Sequence, residues 1–148
     1  RHLPRRDVFF MKIDPYVKIS FNGIEYTSVV RRRTYSPDWN QAFAFNFNGT
    51  TELVNGLTLA LMDWDRFSQD DLIGFAYISK DSMRDILSQD TDWTETQTLT
   101  IKKDKQPVFG KDGLPSEITL QFRVKNPSEV KIISDGSGNV SWSDMLPK

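Results

Sequence analysis

Cysteine is absent from the 148 residues. A disulfide framework and thiolate metal sites are therefore excluded, and the composition suits a reducing compartment. Histidine occurs once, as His2. A histidine-built zinc site or a His-based catalytic triad has nothing to draw on, and the chain reads as a non-enzyme. No apolar run approaches the ~20 residues of a membrane-spanning helix. The opening Arg-His-Leu-Pro does not read as a signal peptide, and the abrupt start suggests a piece of something larger. Charge of one sign is also lacking, with 20 acidic against 19 Lys and Arg residues and a formal net charge of −1. No global field draws the chain to nucleic acid, so any preference for anionic surfaces must come from local patches.

What is present suits one ordinary domain, with 38% hydrophobic and 26% charged residues. Most of it reads as strands. The run 16–21 alternates, Asn22-Gly23 follows, and 24–30 is again β-rich; Asn-Gly between two such runs is a hairpin signal, because both turn positions favour φ > 0. Residues 41–47 place Phe43, Phe45 and Phe47 on one face, and 57–64, 73–79, 96–101 and 117–124 complete about seven short strands separated by turn signals. That is the pattern of an antiparallel β-sandwich. Residues 79–88 predict one short peripheral helix, with Ser79 or Ser82 as its cap and Met83, Ile86 and Leu87 at helical spacing. Residues 104–116, rich in Gly and Pro, read as a loop. The division is a sandwich over 1–125 and a polar extension over 126–148 that serves as a linker or folds back on the sandwich.

Acidic residues gather at strand ends. Asp63 and Asp65 lie two apart at the end of one strand, Asp70 and Asp71 precede the next, Asp14 stands at the mouth of 15–21, and Asp7 lies upstream of it. Aspartate is common in turns for local hydrogen bonding alone. A cluster of several at loop ends also suits a hard divalent cation, which takes many oxygen ligands. The twelve-residue EF-hand template does not fit 62–74, where the sixth position is Ser68 and the twelfth Gly74. It fits 133–144 in part: Asp135, Ser137, Gly138 and Asp144 fall at suitable positions, but Ile133 stands where a carboxylate is expected. That stretch is a degenerate EF-hand-like loop or a Gly-rich turn.

Three motifs carry a family resemblance. "LPRRD…IDPYVKI", "RRRTYSPDWNQAFAF" and "LALMDWDRFSQDDLIG", in this order and over about residues 3–124, resemble the C2 domain, a calcium-dependent phospholipid-binding module. The resemblance implies an all-β, antiparallel, eight-stranded Greek-key sandwich, about seven of whose strands are visible. It suggests the permuted topology with its first strand missing. It implies Ca2+ as cofactor, with Asp14, Asp63, Asp65, Asp71, Ser68 and Asp7 as ligands. Asp7 lies seven residues before Asp14, one more than the commoner family spacing, and the interval is apolar.

Within that interval stand Phe9, Phe10 and Met11, which read as a strand, a core plug or a loop tip inserted into a membrane; Phe67 on the third loop would share the last role. The resemblance also points to Lys18, Arg31, Arg32, Arg33 and Arg66 as contacts for lipid headgroups, guanidinium being suited to phosphate. Two functions follow. One is Ca2+-dependent binding to anionic phospholipid membranes, phosphatidylserine or phosphoinositides. Such a module would target a larger cytoplasmic, reversibly peripheral protein through its other domains. The alternative is a Ca2+-independent protein-interaction or scaffold module of the same fold.

Overall fold

A computed structural model describes residues 1–4, 12–45, 55–90, 93–124 and 139–140. Their elements are β1 (Pro15–Phe21), β2 (Ile24–Thr27), β3 (Ala42–Phe43), β4 (Leu57–Asp63), β5 (Asp71–Ile78), α1 (Lys80–Leu87), β6 (Thr94–Thr100), β7 (Lys102–Lys103), β8 (Gln106–Pro107), β9 (Glu117–Arg123) and β10 (Asn139–Val140). The seven strands expected from the sequence are β1 to β6 and β9. Every pairing is antiparallel. One sheet has the order β2-β1-β4-β5-β7-β8, and two strand pairs, β10-β3 and β6-β9, stand apart from it.

The long strands are built on alternation. Register pairs Val17 with Leu61 and Ile19 with Leu59, and all four side chains are buried. Cross-strand neighbours share a face, so one face of β1 and β4 is apolar along its length. Trp93, Leu99, Leu120 and Phe122, on or next to β6 and β9, pack against this core. Each full burial of such a side chain contributes about 1.5–3 kcal/mol. Helix α1 is capped by Ser79, whose hydroxyl accepts the Ser82 N–H at 3.2 Å, and it buries Met83 and Ile86.

The first hairpin forms as its sequence demands, with Asn22 and Gly23 at φ 51° and 79°. Strand β2 is shorter than the expected 24–30. Ser28 takes over the ladder: its hydroxyl accepts the Val17 N–H at 2.8 Å and its own N–H reaches the Val17 carbonyl at 2.8 Å. From there the chain follows β1 irregularly, through Arg31 N–H to the Pro15 carbonyl and Thr34 N–H to the Ile13 carbonyl. The expected loop over 104–116 holds structure: β7 and β8 close a hairpin, and Phe109 bridges Pro115. The turn, Asp104-Lys105, has φ 51° and 66° without the glycine of the usual two-residue hairpin. Strand β3 is only two residues long, though Phe45 still packs edge-on against Phe21 at 5.6 Å; Phe47 lies outside the described residues. Of the C-terminal extension, Asn139 and Val140 pair with Phe43 and Ala42. The rest of the EF-hand-like stretch lies outside the described residues.

One irregularity positions everything that follows. Leu61 pairs with Gly74 but Met62 pairs with Leu72, leaving Ile73 as an extra residue in β5. This is a β-bulge, which increases local twist and re-aims the side chains beyond it. Gly74 beside it must lack a side chain: a Cβ there would stand 2.7 Å from Ile101 Cγ2 and 2.9 Å from the Lys102 carbonyl oxygen. Gly74→Ala is expected to lower stability by about 1–3 kcal/mol, read as a lower denaturation midpoint with an unchanged slope.

Candidate metal and membrane site

The bulge decides which acids meet. Regular pairing from Leu61↔Gly74 would set Asp63 opposite Leu72; the extra residue instead sets Asp63 opposite Asp71. On the other side of β4, Asp63 lies opposite Pro15, which brings Asp14 to the same end of the sheet. Three strand ends thus place Asp14, Asp63 and Asp71 at one end of the sheet. Like charges directly opposite across a ladder repel, so the arrangement favours positive partners.

Asp14 is the most engaged of these acids. Its N–H donates to Asp63 Oδ1 at 2.9 Å, and its carbonyl accepts the Trp64 N–H at 3.0 Å. Its Oδ1 accepts the Arg33 N–H at 2.7 Å, and its Oδ2 lies 3.4 Å from Arg32 Nε. The Arg32 guanidinium also lies over the Trp64 ring, 4.6 Å from its centroid. Trp64 is therefore a half-buried shelf beneath an arginine.

The third loop is braced from within. Asp65 Oδ1 accepts the Phe67 N–H at 2.9 Å. That bond, followed by one from the Ser68 hydroxyl, holds the Asp65 carboxyl below the usual carboxylate range. Asp70 turns inward: Oδ2 accepts the Tyr16 hydroxyl at 2.5 Å and Oδ1 the Asp65 N–H at 2.9 Å. Burial first, and the Asp70 hydrogen bond second, push the Tyr16 hydroxyl up to about 12. Asp70 is thus a positioning residue, and Asp71 faces Asp63. The doubled aspartate is visible in sequence, but which member turns inward depends on the bulge. Phe67, at the loop tip, is 90% exposed, and Arg66 lies 5.5 Å from its ring centroid.

The expected basic residues divide. Arg31 Nε donates to the Asp38 carbonyl and its Nη2 to the Trp39 carbonyl, both at 2.9 Å. Arg32 is held on Asp14, and Arg33 is exposed beside it. Lys18 stands apart, in a cross-strand row with Ala60, Phe75 and Lys102, where Phe75 is 46% exposed. Residues 31–33 therefore join the acidic end, and Lys18 belongs to the open face of the sheet. Asp7, Phe9, Phe10 and Met11 lie outside the described residues.

All the acidic donors are oxygens, the chemistry a hard divalent cation takes. Among the described residues, no group of three or more acidic or histidine side chains stands close enough to hold an ion. None of their helices is long and apolar enough to cross a membrane.

An antiparallel sandwich with aspartates at one end of its sheet is the architecture on which the comparisons converge. The chain belongs to the C2 domain family, whose model matches residues 1–96. Synaptotagmin-7 of Homo sapiens is 31% identical over 137 residues, covering 90% of this chain and 31% of that protein. Elicitor-responsive protein 1 of Oryza sativa subsp. japonica is 43% identical over 70 residues, 46% of this chain and 44% of that protein. The chain thus spans less than half the length of either relative. Among solved structures, a C2 domain of plant Extended Synaptotagmin 1 superposes with TM-score 0.60 at 19% identity, over 84% of this chain and 88% of that one. Human GIVD cytosolic phospholipase A2 does so with TM-score 0.61 at 20% identity, over 87% of this chain and 16% of that one.

The Tyr16–Asp70 contact has a measurable signature. A spectrophotometric titration is expected to show one of the four tyrosines ionising at about 12, and Tyr16→Phe to remove it. Because folding raises this value from 10.0, the stabilisation is whole below pH 10 and declines as pH rises toward 12. The variant should lose that alkaline decline.

Proposed function

We propose that the chain is a Ca2+-regulated module that docks reversibly on anionic phospholipid membranes and carries a larger, cytoplasmic protein with it. The observation that carries this reading is the bulge-enforced opposition of Asp63 and Asp71 next to Asp14, at the end where Phe67 stands 90% exposed. Asp14, Asp63, Asp65 and Asp71, with Ser68 and Asp7, would hold the ion. When bound there, Ca2+ supplies positive charge and open coordination positions for phosphate or carboxylate oxygens of lipid.

The chain's own residues do the rest. The Tyr16–Asp70–Asp65 chain of hydrogen bonds keeps the third loop in place. Phe67, and on this reading Phe9, Phe10 and Met11, enter the boundary between headgroups and acyl chains, where full burial of each contributes about 1.5–3 kcal/mol. Arg66 and Arg33 meet headgroup phosphates at the same end, and Lys18 meets them from the open sheet face. The chemistry of a parent enzyme, where there is one, lies in other domains.

A second reading, a Ca2+-independent protein-interaction module, draws on Asp14, whose two oxygens already accept a backbone N–H and face an arginine.

Co-sedimentation with phosphatidylcholine vesicles containing phosphatidylserine, over a range of free Ca2+, separates the two. Ca2+-dependent binding in the wild type that disappears in Asp63→Asn/Asp65→Asn is expected. Equal binding of both proteins with and without Ca2+ selects the interaction module instead. Phe67→Ala is expected to weaken Ca2+-dependent vesicle binding by up to about a hundredfold where burial of the ring is complete, and less where it is shallow, while Ca2+ binding in solution, followed by calorimetry, stays unchanged.

A further inference from the structure

Three arginines in a row have three different situations. Arg31 is committed to two backbone carbonyls. The Arg33 side chain makes no hydrogen bond or ion pair among the described residues, although its backbone N–H holds Asp14 Oδ1. Arg32 alone brings its cationic head to an aspartate of the site, with Nε 3.4 Å from Asp14 Oδ2.

Several features fix it there. The Asp14 side chain is 18% exposed and that of Arg32 60%, so the guanidinium lies on the solvent side of the carboxylate. Trp64 supports the guanidinium from beneath, at 4.6 Å. The same Trp64 donates its backbone N–H to the Asp14 carbonyl, so the aromatic shelf and the carboxylate are held to each other. Arg33 adopts φ 55°, a left-handed conformation that costs a side-chain-bearing residue free energy. At that position the chain delivers the Arg33 N–H to one Asp14 oxygen while Arg32 faces the other.

We propose that Arg32 is a tethered counter-cation that competes with the divalent ion for the Asp14 carboxylate, and so sets the ion concentration at which the site fills. The proposal rests on the Ca2+ reading above and deepens it. With the Arg32 head at Oδ2, Asp14 keeps a positive partner when no metal is present. Opening the site requires the guanidinium to leave that oxygen, and its stacking on Trp64 gives it a place to remain nearby. An ion pair this exposed contributes at most about 1 kcal/mol, which bounds the competition at about fivefold.

The test is a calorimetric Ca2+ titration of the wild type, Arg32→Gln and Arg33→Gln, with folding checked by circular dichroism. Arg32→Gln is expected to lower the Ca2+ dissociation constant about two- to fivefold. Arg33→Gln removes the same charge one residue away but keeps the backbone N–H on Asp14, and should shift it markedly less. Arg32→Lys, which keeps the charge but loses the planar fork and its stacking, should fall between wild type and Arg32→Gln and stands in if the glutamine variant fails to fold. Equal shifts in Arg32→Gln and Arg33→Gln would mean that only the general field matters and would overturn the proposal, as would an unchanged or weakened affinity in Arg32→Gln. Ca2+ binding by Arg32→Gln but not by the wild type would support it in its strongest form. Binding by neither protein overturns both the competition and the Ca2+ reading, whereas equal binding by both overturns the competition alone.

Discussion

Asp14 ties three chain segments into one end of the sandwich, and the candidate site depends on that knot. Its backbone reaches the end of β4 through Asp63 and Trp64. Its carboxylate collects the 31–34 segment through Arg32 and Arg33. A half-buried carboxylate needs hydrogen-bond donors and positive charge around it, and here both are supplied by loop backbone and a loop arginine. The irregular path of residues 28–34 is thereby held along β1, although it forms no ladder.

The bulge in β5 is the second constraint. It gives up one regular ladder pairing and gains a register in which two carboxylates oppose each other. A fold selected for stability alone has little use for such an arrangement, since opposite like charges repel. Local rules broken at a strand end are where function is expected to be found. The same bulge buries Ile73 and Gly74 in succession, and Gly74 allows β7 to approach β5 at that point.

Around these acids the protein builds support from residues that would not bind an ion themselves. Asp70 and Tyr16 lock the third loop to β1, and the buried hydroxyl is pushed up to about 12 by the same environment that makes the contact firm. Phe67 is left outside this brace, fully presented on a loop whose backbone is held by Asp65. On the proposed reading, a loop braced by hydrogen bonds and carrying an exposed apolar tip loses less conformational freedom at a membrane surface, which is the advantage of preorganisation.

Much was legible in the sequence because the signals are local. Period-two alternation marked β1, β4 and β9, Asn22-Gly23 marked the first hairpin, and Ser79 marked the helix cap. The Asp-Pro-Tyr and Asp-Trp-Asp motifs, with Asp-x-x-Gly after them, marked the family. Other features depended on partners distant in the chain. The early end of β2 follows from the Ser28 hydroxyl meeting Val17, and the hairpin at Asp104-Lys105 forms without the glycine that usually marks a two-residue turn. The inward turn of Asp70 onto Tyr16, and the opposition of Asp71 to Asp63, follow from a one-residue slip against β4. The assignment of three adjacent arginines to a backbone clamp, a carboxylate partner and a side chain with no partner among the described residues follows from which carbonyls and acids lie beside them. Alternation and turn chemistry are properties of neighbouring residues, so the sequence alone marked the long strands and the gathering of acidic residues at their ends. Register, charge pairing and exposure arise only when separate strands meet, and so the tertiary structure alone decided which side chains stand together at the acidic end.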